Sequence, residues 1–314
     1  MQPPIAIPNE TIASQRLDRG HQIPLNYIAI TPAKDEERYI ERTLQSMIAQ
    51  SHQPLLWILV DDGSSDDTCE IIQKYADVHP FIRLLRADSR TKRATGTAEI
   101  AAFYRGFELI RNDLFDCIVK LDADLSFEPD YFERLMKRFD EDPRLGVASG
   151  IYLEARSEND WREVSMPSYH AAGASKVIRK ACFEEIGGFI EKRGWDTVDE
   201  IRAIARNWRT GHFSELKMKH WKPEGTGMGL LRTCYMHGEI YYRTRGDELF
   251  FILKFLRRLR GAPIAIGGLA MLWGYLHAAM KQLEPLVTPT EAAHYRQLLS
   301  ERLREIVSRF IPAV

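Results

Sequence analysis

Cysteine is scarce in this chain of 314 residues: there are four, Cys69, Cys117, Cys182 and Cys234, set far apart and never as a Cys-x-x-Cys pair. That spacing speaks against a structural zinc site and a disulfide framework, and it fits a reducing cytoplasm. An excess of one charge is missing too. With 43 basic against 44 acidic side chains the net charge is -1, so no global field draws the chain to nucleic acid, and no such partner is expected. Met1 to Gly20 holds Pro, Asn, Gln and charges without a sustained apolar core. The expectation is therefore that no signal peptide exports the catalytic part. Repeats and low-complexity tracts are also lacking. What is present is 45% hydrophobic content over a length that suits one large α/β domain, or one such domain and a C-terminal extension.

Residues 1–24 read as a loose, polar, Pro-containing arm. From Leu25 short apolar runs alternate with helical patterns. Strands are expected over 26–32, 55–60, 81–85 and 115–121, with helices over 38–50, 66–75 and 99–111 between them. A helix over 129–139 and strands over 145–152 and 176–179 follow. Such alternation with short connections implies the α/β class, a mostly parallel sheet with helices on both faces. Ligands of these sheets sit at the strand carboxyl ends. Thr31, Asp61, Asp62, Asp122 and Asp124 all fall there.

Asp122-Ala123-Asp124 follows directly on the apolar run Cys117-Ile118-Val119-Lys120-Leu121. In an extended chain residues i and i+2 point to the same side, so both carboxylates can face one cation or one ribose–diphosphate group. A hard ion such as Mg2+ or Mn2+ prefers oxygen ligands. The bland alternative, a solvated acidic turn, leaves two like charges in mutual repulsion. Upstream, Trp57-Ile58-Leu59-Val60 runs into Asp61-Asp62-Gly63-Ser64-Ser65. These residues suit a nucleoside contact, an ionised Asp being an acceptor for a base N–H while Gly63 permits a tight turn, or only a turn with a helix cap.

Ile30-Thr31-Pro32-Ala33-Lys34-Asp35-Glu36-Glu37, the Asp61-Asp62-Gly63-Ser64 run, Leu121-Asp122-Ala123-Asp124, Gly187-Gly188-Phe189 and Trp195-Asp196-Thr197-Val198-Asp199-Glu200 stand in an order that resembles glycosyltransferase family 2 over roughly residues 25–225. The resemblance implies the GT-A fold and a nucleotide-diphospho-sugar donor. It assigns Thr31, Pro32 and Glu36 to base or ribose contacts, Asp61 to the base, and Asp62 to the same nucleotide pocket. It makes Asp124 a direct metal ligand and Asp122 shared between metal and ribose. It places Asp196 where the family has the Asp that deprotonates the acceptor hydroxyl, with Asp199 and Glu200 as fallback bases. His220, in Lys219-His220-Trp221-Lys222, resembles the late histidine that approaches metal or diphosphate, and the Gly-rich stretch after Lys222 resembles a lid. Asp196 has a structural alternative as a helix cap reciprocated by Asp199, and His220 one as a plain surface side chain.

Two positions depart from the family pattern. Trp195 stands where Glu is common and is expected to offer a flat apolar platform to a sugar. Tyr104 replaces the Asn of an Ala-x-Asn-x-Gly helix start that faces the donor. Arg90, Lys92 and Arg93 suit a diphosphate contact or plain solvation.

Beyond residue 240 the composition shifts. Phe250, Phe251, Leu253, Phe255, Leu256 and Leu259 beside Lys254, Arg257, Arg258 and Arg260 describe a helix lying in a bilayer interface, and the uncharged stretch Gly261 to Met280 carries Pro263 and four glycines that weaken it as a spanning helix. Burial of both segments against the catalytic domain or a partner subunit is the alternative. Thr288-Pro289-Thr290-Glu291 is a capping box. The expected organisation is thus an arm over 1–24, a catalytic domain over 25–240 and a helical, membrane-interfacial extension over 241–314. The expected activity is inverting transfer of a sugar to a membrane-linked glycan or glycolipid acceptor, on the cytoplasmic face of an anionic membrane surface. A degenerate nucleotide-binding adaptor at the membrane, suggested by Trp195 and Tyr104, and a nucleotidyltransferase are the rivals, though Lys34-Asp35-Glu36-Glu37 supplies no Gly-rich activation loop for the latter.

Overall fold

The computed structural model describes residues 24–87, 97–110, 114–157, 160–222, 229–261 and 263–310. They form two compact units, one running to Lys192 and including Trp208–Lys222, the other comprising Arg193–Asn207 and the residues after Lys222.

Uninterrupted apolar runs build the centre of the first unit, because a strand flanked by others and covered on both faces needs apolar side chains both ways. β1 (Tyr27–Ala33), β2 (Leu56–Asp61), β3 (Ile82–Arg86) and β4 (Cys117–Leu121) lie in the order β3-β2-β1-β4, all parallel. The register sets Ala33 beside Asp61 and Ile30 beside Lys120, which brings the acidic strand ends to one rim. α1 (Ile40–Ile48), α2 (Thr68–Ala76) and α3 (Ala98–Glu108) make the connections, and α4 (Tyr131–Glu141) comes after β4. One sheet face packs Trp57, Leu59 and Val119 with Leu44, Met47 and Phe132 in a single buried cluster. Each such side chain contributes about 1.5–3 kcal/mol when fully buried. On the other face α3 comes close through Gly106, where a Cβ would lie 2.9 Å from Ile30 and 3.1 Å from Val60.

The expected α/β class with its parallel strands is what the structure has, and the sheet continues past β4 in mixed orientation. β8 (Ser175–Arg179) is antiparallel to β4, and β6 (Leu145–Ser157) antiparallel to β8. β9 (Arg209–His220) runs parallel to β6, and β5 (Leu125–Phe127) closes the order antiparallel to β9. A short β7 (Asp160–Glu163) pairs with β6. α5 (Lys180–Glu185) follows β8. β5, β7 and β9 were not expected. β9 mixes Lys, His and Glu into its run, and its only sequence signal is the alternation of buried Leu216, Met218 and His220 with more open neighbours.

The second unit is helical: α6 (Trp195–Ala205), α7 (Leu230–Arg243), α8 (Glu248–Leu259), α9 (Ile266–Met280) and α10 (Pro289–Phe310). The expected boundary at residue 240 lies inside α7, and α6 groups with the C-terminal helices. α7 and α9 touch backbone to backbone. A Cβ on Gly238 would sit 1.8 Å from the Met271 carbonyl oxygen and one on Gly274 2.0 Å from that of Tyr235, so Gly238 and Gly274 let the two helices approach this closely. The capping box forms as expected, with Thr288 N donating to Glu291 at 2.9 Å and Glu291 N to Thr288 Oγ1 at 3.2 Å. Arg206 on α6 donates to the same carboxylate at 3.0 Å. Among the described residues no helix is long and apolar enough to cross a membrane. Phe251, expected on the bilayer side of α8, is instead buried, stacked on Tyr275 at 4.3 Å.

Candidate functional site

At the carboxyl ends of β1 and β2 two loops are zipped together by reciprocal hydrogen bonds. Asp35 N donates to Ser64 Oγ at 3.0 Å, Ser65 N to Asp35 Oδ1 at 2.8 Å, Glu36 N to Thr68 Oγ1 at 2.7 Å, Glu37 N to Asp66 Oδ2 at 3.1 Å and Asp67 N to Glu37 Oε2 at 3.2 Å. Gly63 at φ 79° and Asp35 at φ 53° make the turns that allow this. The loops present a preformed rim. Asp61 is buried there, one oxygen accepting Ser64 N at 3.0 Å, so the turn role and a base contact through the other oxygen are compatible. Asp62 is paired with Arg105 of α3 at 2.5 Å.

Two assigned contacts need correcting. The Thr31 side chain is fully buried, its hydroxyl accepting Trp57 Nε1 at 2.8 Å, because residue 31 points into the core face of β1. Only its main chain remains for a nucleotide. Glu36 turns its carboxylate to Lys222, 2.8 Å away, rather than to the Asp61 rim, and its Oε2 is buried with no hydrogen-bond partner. Pro32 is half-buried at the strand end.

Beside that rim β4 ends in the acidic pair. Ligand atoms of Asp122, Asp124 and His220 all lie within 4.8 Å of one another. His220 arrives because β9 pairs with β5 in a register that sets it opposite Leu125, and Trp221 N then donates to the Asp124 carbonyl at 3.0 Å. His220 Nε2 stands 3.4 Å from Asp124 Oδ2, and Tyr152 stacks on its ring at 5.3 Å. Asp124 Oδ1 and His220 Nδ1 are buried without hydrogen-bond partners. Leaving such atoms unpaired costs about 1–3 kcal/mol each, more for charged groups. A divalent cation would take one oxygen from each carboxylate and one ring nitrogen of His220, so this donor set fits Mg2+ or Mn2+.

Lys120 is the residue that sequence reasoning passed over. Its side chain is 2% exposed, ion-paired to Asp122 and 3.8 Å from Glu99 of α3. A single cation inside an otherwise apolar strand run was the available signal. Burial opposes its charge, but Asp122 and Glu99 hold its proton affinity well above that of an ordinary lysine. Burial, with Glu99 and Asp124, pushes the Asp122 carboxyl up to about 6 against the pull of Lys120. For His220 burial alone would lower proton affinity, yet hydrogen bonding to Asp124 and the nearby carboxylates raise it above the usual histidine range.

Both shifts are upward, with a definite sign. In the metal-free protein each group stabilises the fold at low pH, and that contribution is lost as pH rises, for Asp122 from about 4 to 6 and for His220 above about 6.5. A cation needs Asp122 ionised and His220 neutral. The rise in melting temperature on replacing EDTA by Mn2+ is therefore expected to grow from pH 5 to pH 8. Equal metal-induced shifts at the two pH values in scanning calorimetry would contradict this site.

Asp196 and Asp199 lie on α6, in the second unit. The N-cap is Gly194 at φ 86°, so Asp196 is the second helical residue and not the cap, a place where a carboxylate complements the helix's partial positive charge. Asp199 is 1% exposed and accepts Glu200 N at 2.7 Å. Trp195 is buried, which corrects its expected role as an open sugar platform. Tyr104 likewise turns inward. Its hydroxyl donates to the Phe189 carbonyl at 2.7 Å, and a Cβ on Gly188 would lie 2.5 Å from that hydroxyl, so the Gly187-Gly188-Phe189 motif is shaped around it. Arg90, Lys92, Arg93 and the Gly-rich stretch after Lys222 lie outside the described residues.

The profile of glycosyl transferase family 2 matches residues 28–213, more than half of the chain. The poly-beta-1,6-N-acetyl-D-glucosamine synthase of Staphylococcus aureus is 30% identical over 116 residues, covering 37% of this chain and 26% of that protein. The chondroitin synthase of Escherichia coli is 34% identical over 138 residues, 43% of this chain and 18% of that protein. The chain thus spans only a minor part of either relative. Among solved structures, S. aureus TarS in complex with UDP-GlcNAc matches with a TM-score of 0.53 at 17% identity, over 91% of this chain and 82% of that one. The mannosyltransferase PcManGT from Pyrobaculum calidifontis, in complex with GDP-Man and Mn2+, matches with a TM-score of 0.51 at 16% identity, over 95% and 86%. At these identities the likeness is one of fold, a GT-A sheet with flanking helices.

Proposed function

Because the chain belongs to glycosyl transferase family 2, we propose that it transfers a sugar, with inversion, from a nucleotide-diphospho-sugar to a membrane-linked glycan or glycolipid in the making of a cell-surface polysaccharide. The observation that carries this reading is the trio Asp122, Asp124 and His220 at the sheet rim, with buried atoms of the latter two left unpartnered. These three residues would hold Mg2+ or Mn2+, which when bound offsets the negative charge of the departing diphosphate. Asp61, Pro32 and the main chain of Thr31 line the place for the nucleoside, on a rim held rigid by the zipped loops. Asp62 steadies α3 through Arg105, and Glu36 with Lys222 closes the pocket beside the acidic pair.

Asp196, or Asp199 in its stead, takes the proton of the acceptor hydroxyl. The oxygen then attacks the anomeric carbon opposite the diphosphate, the carbon–oxygen bond to the donor breaks, and its electron pair leaves on the nucleoside diphosphate. One displacement inverts the anomeric centre. The poly-beta-1,6-N-acetyl-D-glucosamine synthase and chondroitin synthase among the relatives support a glycan as acceptor, and the cytoplasmic face of a membrane, with the protein peripheral or monotopic, is where we place the reaction. Of the two departures that favoured a degenerate adaptor, Trp195 is buried and the half-buried Tyr104 donates to the Phe189 carbonyl, which gives each a packing role that supports the enzymatic reading.

The test is a panel of UDP- and GDP-sugars, with membrane extract as acceptor source and Mn2+ or EDTA present. Turnover of at least one donor, only with metal, is expected. Tight nucleotide binding without turnover of any donor would make the adaptor the better reading.

A further inference from the structure

Of fifteen large apolar side chains that stand exposed among the described residues, twelve lie between Leu230 and Met280. They are not scattered. On α8, Leu249, Ile252, Leu253 and Leu256 recur at the spacing of one helix face, and on α9 Ile266, Leu269, Trp273 and Met280 do the same. Ile264, in the connection between them, is 73% exposed. The opposite sides of the two helices are accounted for: Phe251 stacks on Tyr275, and Gly267, Gly268, Met271 and Gly274 are buried.

α9 carries no charged residue, so its outward face has nothing to offer water except apolar surface and the indole of Trp273. Monomeric proteins rarely leave so continuous a patch open unless something covers it. Charge identifies the cover. From Leu249 to Leu283 the chain has five basic residues, Lys254, Arg257, Arg258, Arg260 and Lys281, and no acidic one. Arg258 is turned inward, its Nη2 3.0 Å from Cys234 Sγ, while Arg257, Arg260 and Lys281 are exposed. A second copy docking through the same face by a two-fold axis would set these cations against their own duplicates. An anionic lipid surface meets both features, the apolar face entering the headgroup–acyl boundary and the cations meeting the headgroups.

We propose that α8 and α9 together form a monotopic docking face for an anionic bilayer, with Leu253, Leu256, Ile264 and Trp273 inserted and Arg257 and Arg260 on the headgroups. The docking needs neither donor nor acceptor, so it stands or falls apart from the glycosyl transfer proposed above.

The full chain is mixed with vesicles of phosphatidylcholine, with and without phosphatidylglycerol, and pelleted. Binding to the anionic vesicles is expected to exceed binding to neutral ones by at least about tenfold. Arg257→Gln with Arg260→Gln should weaken it by about 25-fold, at about fivefold per cation. Trp273→Glu and Leu253→Glu should each remove pelleting, and since both side chains are exposed the far-UV circular dichroism should stay unchanged. Brominated lipid should quench the part of the fluorescence that Trp273→Phe removes. No pelleting, equal pelleting with neutral vesicles, or an unquenched Trp273 would overturn the proposal. So would a dimer in solution that Trp273→Glu converts to monomer, since the face would then belong to a second copy.

Discussion

Asp124→Ala is expected to lower metal-dependent turnover of the sugar nucleotide by about a thousandfold or more, the equivalent of about 4 kcal/mol of transition-state stabilisation. The residue is 6% exposed, one oxygen near His220 and the other unpartnered, so its loss removes a buried ligand oxygen from the trio. Two companion measurements separate a lost ligand from a damaged fold. Free nucleoside should bind the variant within about twofold of the parent, since Asp61 and the zipped loops are untouched. The melting temperature in EDTA should change little, because removing Asp124 relieves its repulsion with Asp122 and Glu36 while it takes away the partner of His220 Nε2. Turnover within about tenfold of the parent, with an unaltered metal requirement, would remove Asp124 from the site.

Asp196→Asn should lower kcat by about a hundredfold to ten-thousandfold with the donor KM little changed, the range for loss of a general base. Asparagine keeps the size and the helix position but cannot accept the proton. A fall in kcat at unchanged melting temperature and unchanged donor KM distinguishes this from a structural effect. Asp199→Asn provides the contrast. Asp199 is almost wholly buried and holds Glu200 N, so its replacement should cost stability before activity, seen as a lowered melting temperature. If Asp199→Asn abolished turnover in a protein of parental stability while Asp196→Asn did not, the base would be Asp199. Parental turnover in both variants would leave the proton to another group.

Much of the nucleotide half could be read residue by residue. β1, β2, β3 and β4 lie within two residues of their expected ranges at each end, because a buried parallel strand is a plain apolar run and needs no partner to be recognised. Lys120 was harder. A lysine is ordinarily a surface residue, and only the pairing of Lys120 with Asp122 shows that it is built into the rim. Tyr104 and Trp195 looked like losses of function in the sequence pattern, whereas the structure spends both on packing.

Local chain geometry, then, was enough for the parallel strands, the same-sided carboxylates of Asp122 and Asp124, and the Thr288–Glu291 capping box, since each depends on a repeat of two or on contacts within one helical turn. Tertiary structure decided that His220 joins the acidic pair, that Thr31 and Trp195 point inward, and which sides of α8 and α9 stay uncovered. Those outcomes depend on strand register and on helix packing between residues distant along the chain, and no periodicity within a segment encodes which partner it will meet.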